Sequence, residues 1–96
     1  MVYLVSLHLS SRPTFWRAHD FEHIQNELMQ GNWSHYIDST WLIESDESKT
    51  NIRQRLGKWM RHKGDFLLIM DATYPVEGLL PADAWKWIKE HMEPKD

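Results

Sequence analysis

The chain has 96 residues, of which 42% are hydrophobic, 26% charged and 12% aromatic, and its formal net charge is −3. This length predicts one domain over residues 1–96, and the aromatic content argues against disorder, because disordered chains lack such core-forming residues. The absence of cysteine excludes disulfides, thiolate zinc sites and cysteine nucleophiles, and the net acidity excludes a globally basic nucleic-acid binder. We expect a cytoplasmic protein without a membrane span.

The first half of the chain predicts a strand, a helix and a hairpin. Every odd-numbered residue from 3 to 9 is apolar, which predicts a central strand over residues 2–9 with one buried face. Residues 10–19 contain Ser, Arg-Pro and aromatic residues and are interpreted as a loop. A first helix is predicted from Asp20, a typical N-cap residue, to Gly31. Residues 32–45 then predict two strands separated by a polar turn.

The second half predicts a helix, a strand and a further helix. An apolar stripe at helical spacing follows residues 46–48 and predicts a second helix that reaches Lys63. Consecutive apolar residues predict a buried strand over residues 66–73. Pro81 suits the first turn of a C-terminal helix, which we assign to residues 80–96.

These elements predict an α+β, ferredoxin-like βαββαβ fold. Two crossovers interleave into a four-stranded antiparallel sheet of order 4-1-3-2, with two helices on one face and an appended C-terminal helix. The face opposite the two helices is called the open face here. Because an exposed apolar sheet face usually has a partner, we expect a symmetric homodimer, although a C-terminal helix covering this face would weaken that prediction. The predicted dimer face comprises Leu4, Ser6, His8, Leu67, Ile69 and Asp71.

The strongest charge feature is the segment from residue 49 to residue 63, which carries six basic residues and no acid. Such a run attracts phosphates, so it is a candidate nucleic-acid interface. The alternative is a solvent-exposed helix face whose cations interact favourably with the helix dipole near the C-terminus. The candidate nucleic-acid-binding residues are Lys49, Arg53, Arg55, Lys58, Arg61 and Lys63.

Three residues are candidates for catalysis. His8 ends the first strand, and an imidazole there could act as acid and base or bind a metal, or it could be a histidine at a dimer seam. Arg12 could hold a phosphate. His35 lies on a hairpin with two Trp residues, whose indoles could either stack on bases or pack across the strands. We assign no metal site and no cofactor, and a divalent metal stays an open alternative.

Part of the chain resembles a known family. The opening strand, residues 2–10, is similar to that of the CRISPR-associated adaptation protein (Cas-two) and its relatives. The Trp33-x-His35 to Ser39-Thr40-Trp41 hairpin, the strand over residues 65–72 and the Trp-rich terminal helix look more like the SinR-like proteins. The resemblance covers residues 1–73. It implies a ferredoxin-like fold, dimerisation through sheets and contact with nucleic acid.

The same resemblance bears on catalysis. In the nuclease-type members of the group an Asp ends the first strand and binds a divalent metal across the dimer axis. His8 stands at that position in this chain, and Mg²⁺ prefers oxygen ligands, so standard metal-dependent cleavage is not expected.

We therefore expect a homodimer that interacts with RNA or DNA and lacks standard metal-dependent nuclease activity. One alternative is a non-catalytic dimer that binds other proteins. A second is a divergent nuclease that uses His8.

Overall fold

Strands and helices follow one another in the predicted order, β-α-β-β-α-β and then one helix. The computed structural model describes residues 1–10 and 15–94, and side chains over 1–10 and 18–94. Within these residues the chain forms four strands and three helices. They are β1 (Val2–His8), α1 (Phe15–Leu28), β2 (Asn32–Ile37), β3 (Thr40–Glu44), α2 (Lys49–Gly57), β4 (Phe66–Asp71) and α3 (Ala82–Met92).

The strands form one antiparallel sheet of order β2-β3-β1-β4, which is the predicted order 4-1-3-2 read from the opposite edge. The fold is therefore α+β, and its topology is compatible with the predicted ferredoxin-like arrangement. β1 and β3 are central, and β2 and β4 are the edges. The hairpin turn lies at residues 38–39, as the polar pair there predicts.

The main core lies between one face of the sheet and the helices α1 and α2. Val5 of β1 and Trp41 of β3 pair directly and are almost completely buried. Ile24 of α1 and Ile52 of α2 pack against this layer from the helix side. Burying apolar surface of this extent is the main favourable term in folding, at roughly 25 cal/mol per Å².

Both main helices have boundaries that differ from the predicted ones. The α1 helix begins at Phe15, so part of the segment interpreted as a loop is helical and Asp20 is an interior residue rather than a cap. Arg17 and Ala18 are strong helix formers, which explains the extension toward the N-terminus. The α2 helix has Ser48 as its N-cap but ends at Gly57, where glycine costs about 1 kcal/mol relative to alanine.

The register of β1 with β4 corrects the predicted dimer face. Leu4 pairs with Met70, and Ser6 pairs with Leu68. Directly opposed side chains share a face, so the even-numbered residues of β4 lie on the open face. The assignment of Leu67, Ile69 and Asp71 to that face is therefore wrong, because a one-residue difference in register exchanges the faces.

The α3 helix lies across part of the open face. Its buried residues are Ala84 and Ile88, which line a cleft together with Leu4 and Leu42 of the sheet. His91 of α3 is also 3.3 Å from Glu44 of β3, measured from Nδ1 to the carboxylate. The open face is thus partly covered by the chain itself, which weakens the predicted dimerisation through the whole face.

Candidate functional site

The basic segment does not form one helix face. Arg53 lies on α2, whereas Lys58, Arg61 and Lys63 follow the end of that helix and lead into β4. All four side chains belong to exposed residues. Within the described part of the chain, none of them makes an ion pair. We call Arg53, Lys58, Arg61 and Lys63 the α2–β4 basic surface.

The carboxylate of Asp65 positions the segment that carries this surface. It accepts hydrogen bonds from the backbone N–H of His62 at 3.1 Å and from that of Ser10 at 2.8 Å. One carboxylate therefore joins the loop before β4 to the end of β1. Hydrogen bonds to a charged acceptor are the stronger kind, at about 1.5–3 kcal/mol each. The cations of the loop are thus presented from an anchored backbone.

Arg55 has a structural role that the charge count does not reveal. Its guanidinium binds both carboxylate oxygens of Glu47, at 2.6 and 3.0 Å, and also binds Glu27 of α1. Burial alone lowers the pKa of Arg55, but its hydrogen bonds with Glu47 and Glu27 outweigh that effect and raise it. Arg55 therefore stays charged and connects α1 to α2. Its guanidinium is already bound by two carboxylates, so we leave Arg55 out of the candidate phosphate ligands.

Lys49 is the second predicted phosphate ligand that has an acidic partner. Its Nζ lies 2.7 Å from Asp71 at the far end of β4, and both side chains are nearly half exposed. Exposed pairs of this kind contribute only about 0–1 kcal/mol. Lys49 could exchange this partner for a phosphate, but its charge is already balanced. The predicted set of six thus reduces to four cations without an acidic partner among the described residues.

The structure does not bring together His8 and His35, the two predicted catalytic residues that it describes. His8 is exposed on the open face, where its ring lies 6.4 Å from that of Phe66. The ring of His35 stacks on Trp41 at 3.7 Å, on the face covered by α1 and α2, and its Nε2 lies 3.0 Å from the carbonyl of Asp38. The two histidines therefore point to opposite sides of the sheet. Arg12 lies outside the described residues.

The hairpin indoles belong mainly to the packing of the domain. Trp41 is almost fully buried, and Trp33 lies across the strand pair with its ring 5.7 Å from that of Trp41. A comparable stack joins His23 of α1 to Trp59 after α2, with ring centroids 4.0 Å apart. The packing alternative thus describes Trp41 better than base stacking does, and Trp59 is likewise engaged in packing.

The outer edge of the sheet carries the second feature of the candidate site. β4 lies at this edge, and its open-face side chains Phe66, Leu68 and Met70 are 67%, 57% and 48% exposed. The strand interior contains no charge and no proline, the features that usually protect a sheet edge from pairing. On the helix side, Arg53 lines a shallow groove together with Leu67 and Ile69 of the same strand. Through Arg53, the basic surface therefore borders an unprotected strand edge.

The part of the chain that the structure describes was compared with the requirements of a metal site and of a membrane-spanning helix. No group of three or more His, Cys, Asp or Glu side chains there could hold a metal ion. None of the helices found in those residues is long and apolar enough to cross a membrane.

Comparison of the chain with family models, with curated proteins and with solved structures finds no match.

Proposed function

We propose that this protein is a ferredoxin-like homodimer that binds nucleic acid through its α2–β4 basic surface, in keeping with its resemblance to the Cas-two and SinR-like group. The observation that carries the proposal is the set of four exposed cations on α2 and on the segment that leads from it into β4. Arg53, Lys58, Arg61 and Lys63 have no acidic partner among the described residues, whereas Lys49 and Arg55 do. Unpartnered cations gain the most from contact with phosphates.

The net charge of −3 restricts where nucleic acid can bind to this protein. An acidic protein attracts nucleic acid only where its positive charge is concentrated, so the binding should be local and strongly sensitive to salt. Four phosphate contacts on a duplex give a slope of about −3.6 in a plot of log affinity against log salt. This slope distinguishes four contacts from the six that the charge count alone suggests.

We also propose that two copies pair through β4 rather than through the whole open face. An antiparallel pair centred on Leu68 places Phe66 opposite Met70 of the partner subunit and keeps the apolar row on one face. The unpaired backbone groups of β4 then become part of a continuous sheet. The two Arg53 grooves would border the same seam, which concentrates positive charge there and favours a shared polyanion.

Catalysis is not part of this proposal. His8 lies on the open face near the ring of Phe66, and His35 is engaged with Trp41 and Asp38 on the opposite side of the sheet. The alternative is a divergent nuclease that uses His8. Cleavage that is lost in His8→Ala would establish that alternative.

The test is fluorescence anisotropy with short labelled RNA and DNA, single-stranded and duplex, with and without Mg²⁺ and Mn²⁺. The test variant is the double charge reversal Lys58→Glu/Arg61→Glu. The matched control is Lys86→Glu/Lys89→Glu, which makes the same charge change at exposed positions of α3. We expect the test variant to lose binding and the control to retain it. Equal losses would indicate a general charge effect, and no binding by the unchanged protein would leave a protein-interaction dimer.

A further inference from the structure

A cleft separates α3 from the sheet, on the side opposite the main core. Its volume is 410 Å³, within the range of roughly 300–1,000 Å³ that small-molecule sites occupy. Leu4 and Leu42 form its floor, and Trp85 and Ile88 of α3 form one wall. The segment after β4 contributes Val76 and Leu80. The lining is therefore mostly apolar, as in sites for small organic ligands.

One polar residue of this mostly apolar lining is buried. Ser34 of β2 is only 8% exposed, and no other polar residue in the described part of the chain is buried to this extent. No side chain or backbone group among those residues hydrogen-bonds to its hydroxyl. Its oxygen is not among the fully buried side-chain atoms that lack a partner there, which are Nε1 of Trp41 and Nε1 of Trp59, so the hydroxyl remains accessible at the surface of the cleft. Ser34 lines the cleft, so a molecule inside the cleft could form a hydrogen bond with its hydroxyl.

The charges around the cleft restrict the ligand further. None of the lining residues that the structure describes is basic, so an anion would find no counter-charge there. Two acidic residues line the cleft. Asp71 ends β4, and its carboxylate is paired with Lys49 of α2 on the helix side of the sheet, whereas Glu77 is exposed to solvent. The burial of a charged ligand group would therefore be costly. A neutral molecule fits these surroundings best.

We propose that this cleft binds a neutral, largely apolar small molecule whose single hydrogen-bonding group contacts the hydroxyl of Ser34. The site is separate from the α2–β4 basic surface, because the cleft lies on the open face and Arg53 borders the face that carries α1 and α2. The proposal therefore does not depend on nucleic-acid binding, and either can fail without the other.

The experiment compares two neutral probes, 2-naphthol and naphthalene, which differ by one hydroxyl group. Binding is measured by ligand-observed NMR and located by the shifts of backbone amides. The expected result is that 2-naphthol binds roughly fivefold more tightly than naphthalene, as one neutral hydrogen bond would give. The perturbed amides should lie on α3 and on β1 to β3.

Three variants make the experiment decisive. Ser34→Ala should bring the two probes to equal affinity, whereas Ser39→Ala in the exposed hairpin turn should leave their ratio unchanged. Leu42→Trp, which enlarges a half-buried lining residue, should abolish binding of both probes. If Leu42→Trp does not fold, the Ser34→Ala comparison still tests whether the ligand contacts the hydroxyl of Ser34. The proposal is overturned if neither probe binds, if Ser34→Ala leaves the ratio unchanged, or if the shifts map outside the cleft.

Discussion

The two arginines of α2 should have opposite roles, although they are two residues apart. Arg55 is one-quarter exposed and binds Glu27 and Glu47, whereas Arg53 is exposed and has no acidic partner among the described residues. Replacing Arg55 by Met keeps the aliphatic stem but leaves two carboxylates without their cation. Hydrogen bonds to charged groups contribute about 1.5–3 kcal/mol, and partial exposure reduces that value. We therefore expect Arg55→Met to lower the free energy of unfolding by about 2 kcal/mol.

Thermal unfolding followed by circular dichroism measures this effect directly. For a domain of this size, 1 kcal/mol shifts Tm by roughly 4–8 °C, so Arg55→Met should lower Tm by about 10 °C. Its oligonucleotide affinity at a temperature where it is folded should be unchanged. Arg53→Met is the matched control and should show the reverse, with Tm almost unaffected and weaker binding. The reasoning is refuted if Arg55→Met leaves Tm unchanged, or if it weakens binding more than Arg53→Met does.

Three further predictions concern the acid stability, the edge strand and catalysis. The hydrogen bond from Asn32, together with the charge of His91, lowers the pKa of Glu44. Because its pKa is lowered in the folded state, ionised Glu44 stabilises the fold at pH values above its ordinary pKa near 4.5, and this stabilisation is lost as the pH falls below that value. Glu44→Gln should therefore flatten the decline in Tm between about pH 5 and pH 3. An unchanged decline would contradict this. Leu68→Cys should form a disulfide-linked dimer on mild oxidation, visible on a non-reducing gel, since the chain has no other cysteine; a Ser39→Cys variant that cross-links equally would indicate random collision. His8→Ala should leave oligonucleotide affinity within twofold by anisotropy and remove no cleavage activity, and a loss of either would give His8 a direct role.

The sequence predicts the element order and the strand order well, because these depend on strong local patterns. The alternation of β1 identifies its buried face, and the polar pair at residues 38–39 locates the hairpin turn. The face of β4 could not be predicted in the same way. All of its first five residues are apolar, so no alternation distinguishes Leu67 from Leu68, and only the pairing with β1 decides.

The candidate site was only partly predictable, because charge counting ignores tertiary partners. The carboxylate of Glu27 lies on another helix, and nothing near Arg55 in the sequence indicates that contact. One signal was present: Arg55 precedes Leu56 and follows Ile52 by three residues, which places it beside the buried stripe of α2. The cleft under α3 could not be foreseen, since its walls come from elements whose packing the sequence pattern leaves open.

The most direct test of the central claim is the salt dependence of oligonucleotide binding by the unchanged protein and by Lys58→Glu/Arg61→Glu. For duplex binding through four phosphate contacts, the affinity of the unchanged protein should fall on the order of 100-fold between about 50 and 200 mM salt. The variant should bind far more weakly at the lower salt and show a much shallower slope. Binding that does not change with salt, or that persists unchanged in the variant, would contradict the assignment of the α2–β4 basic surface as a nucleic-acid interface.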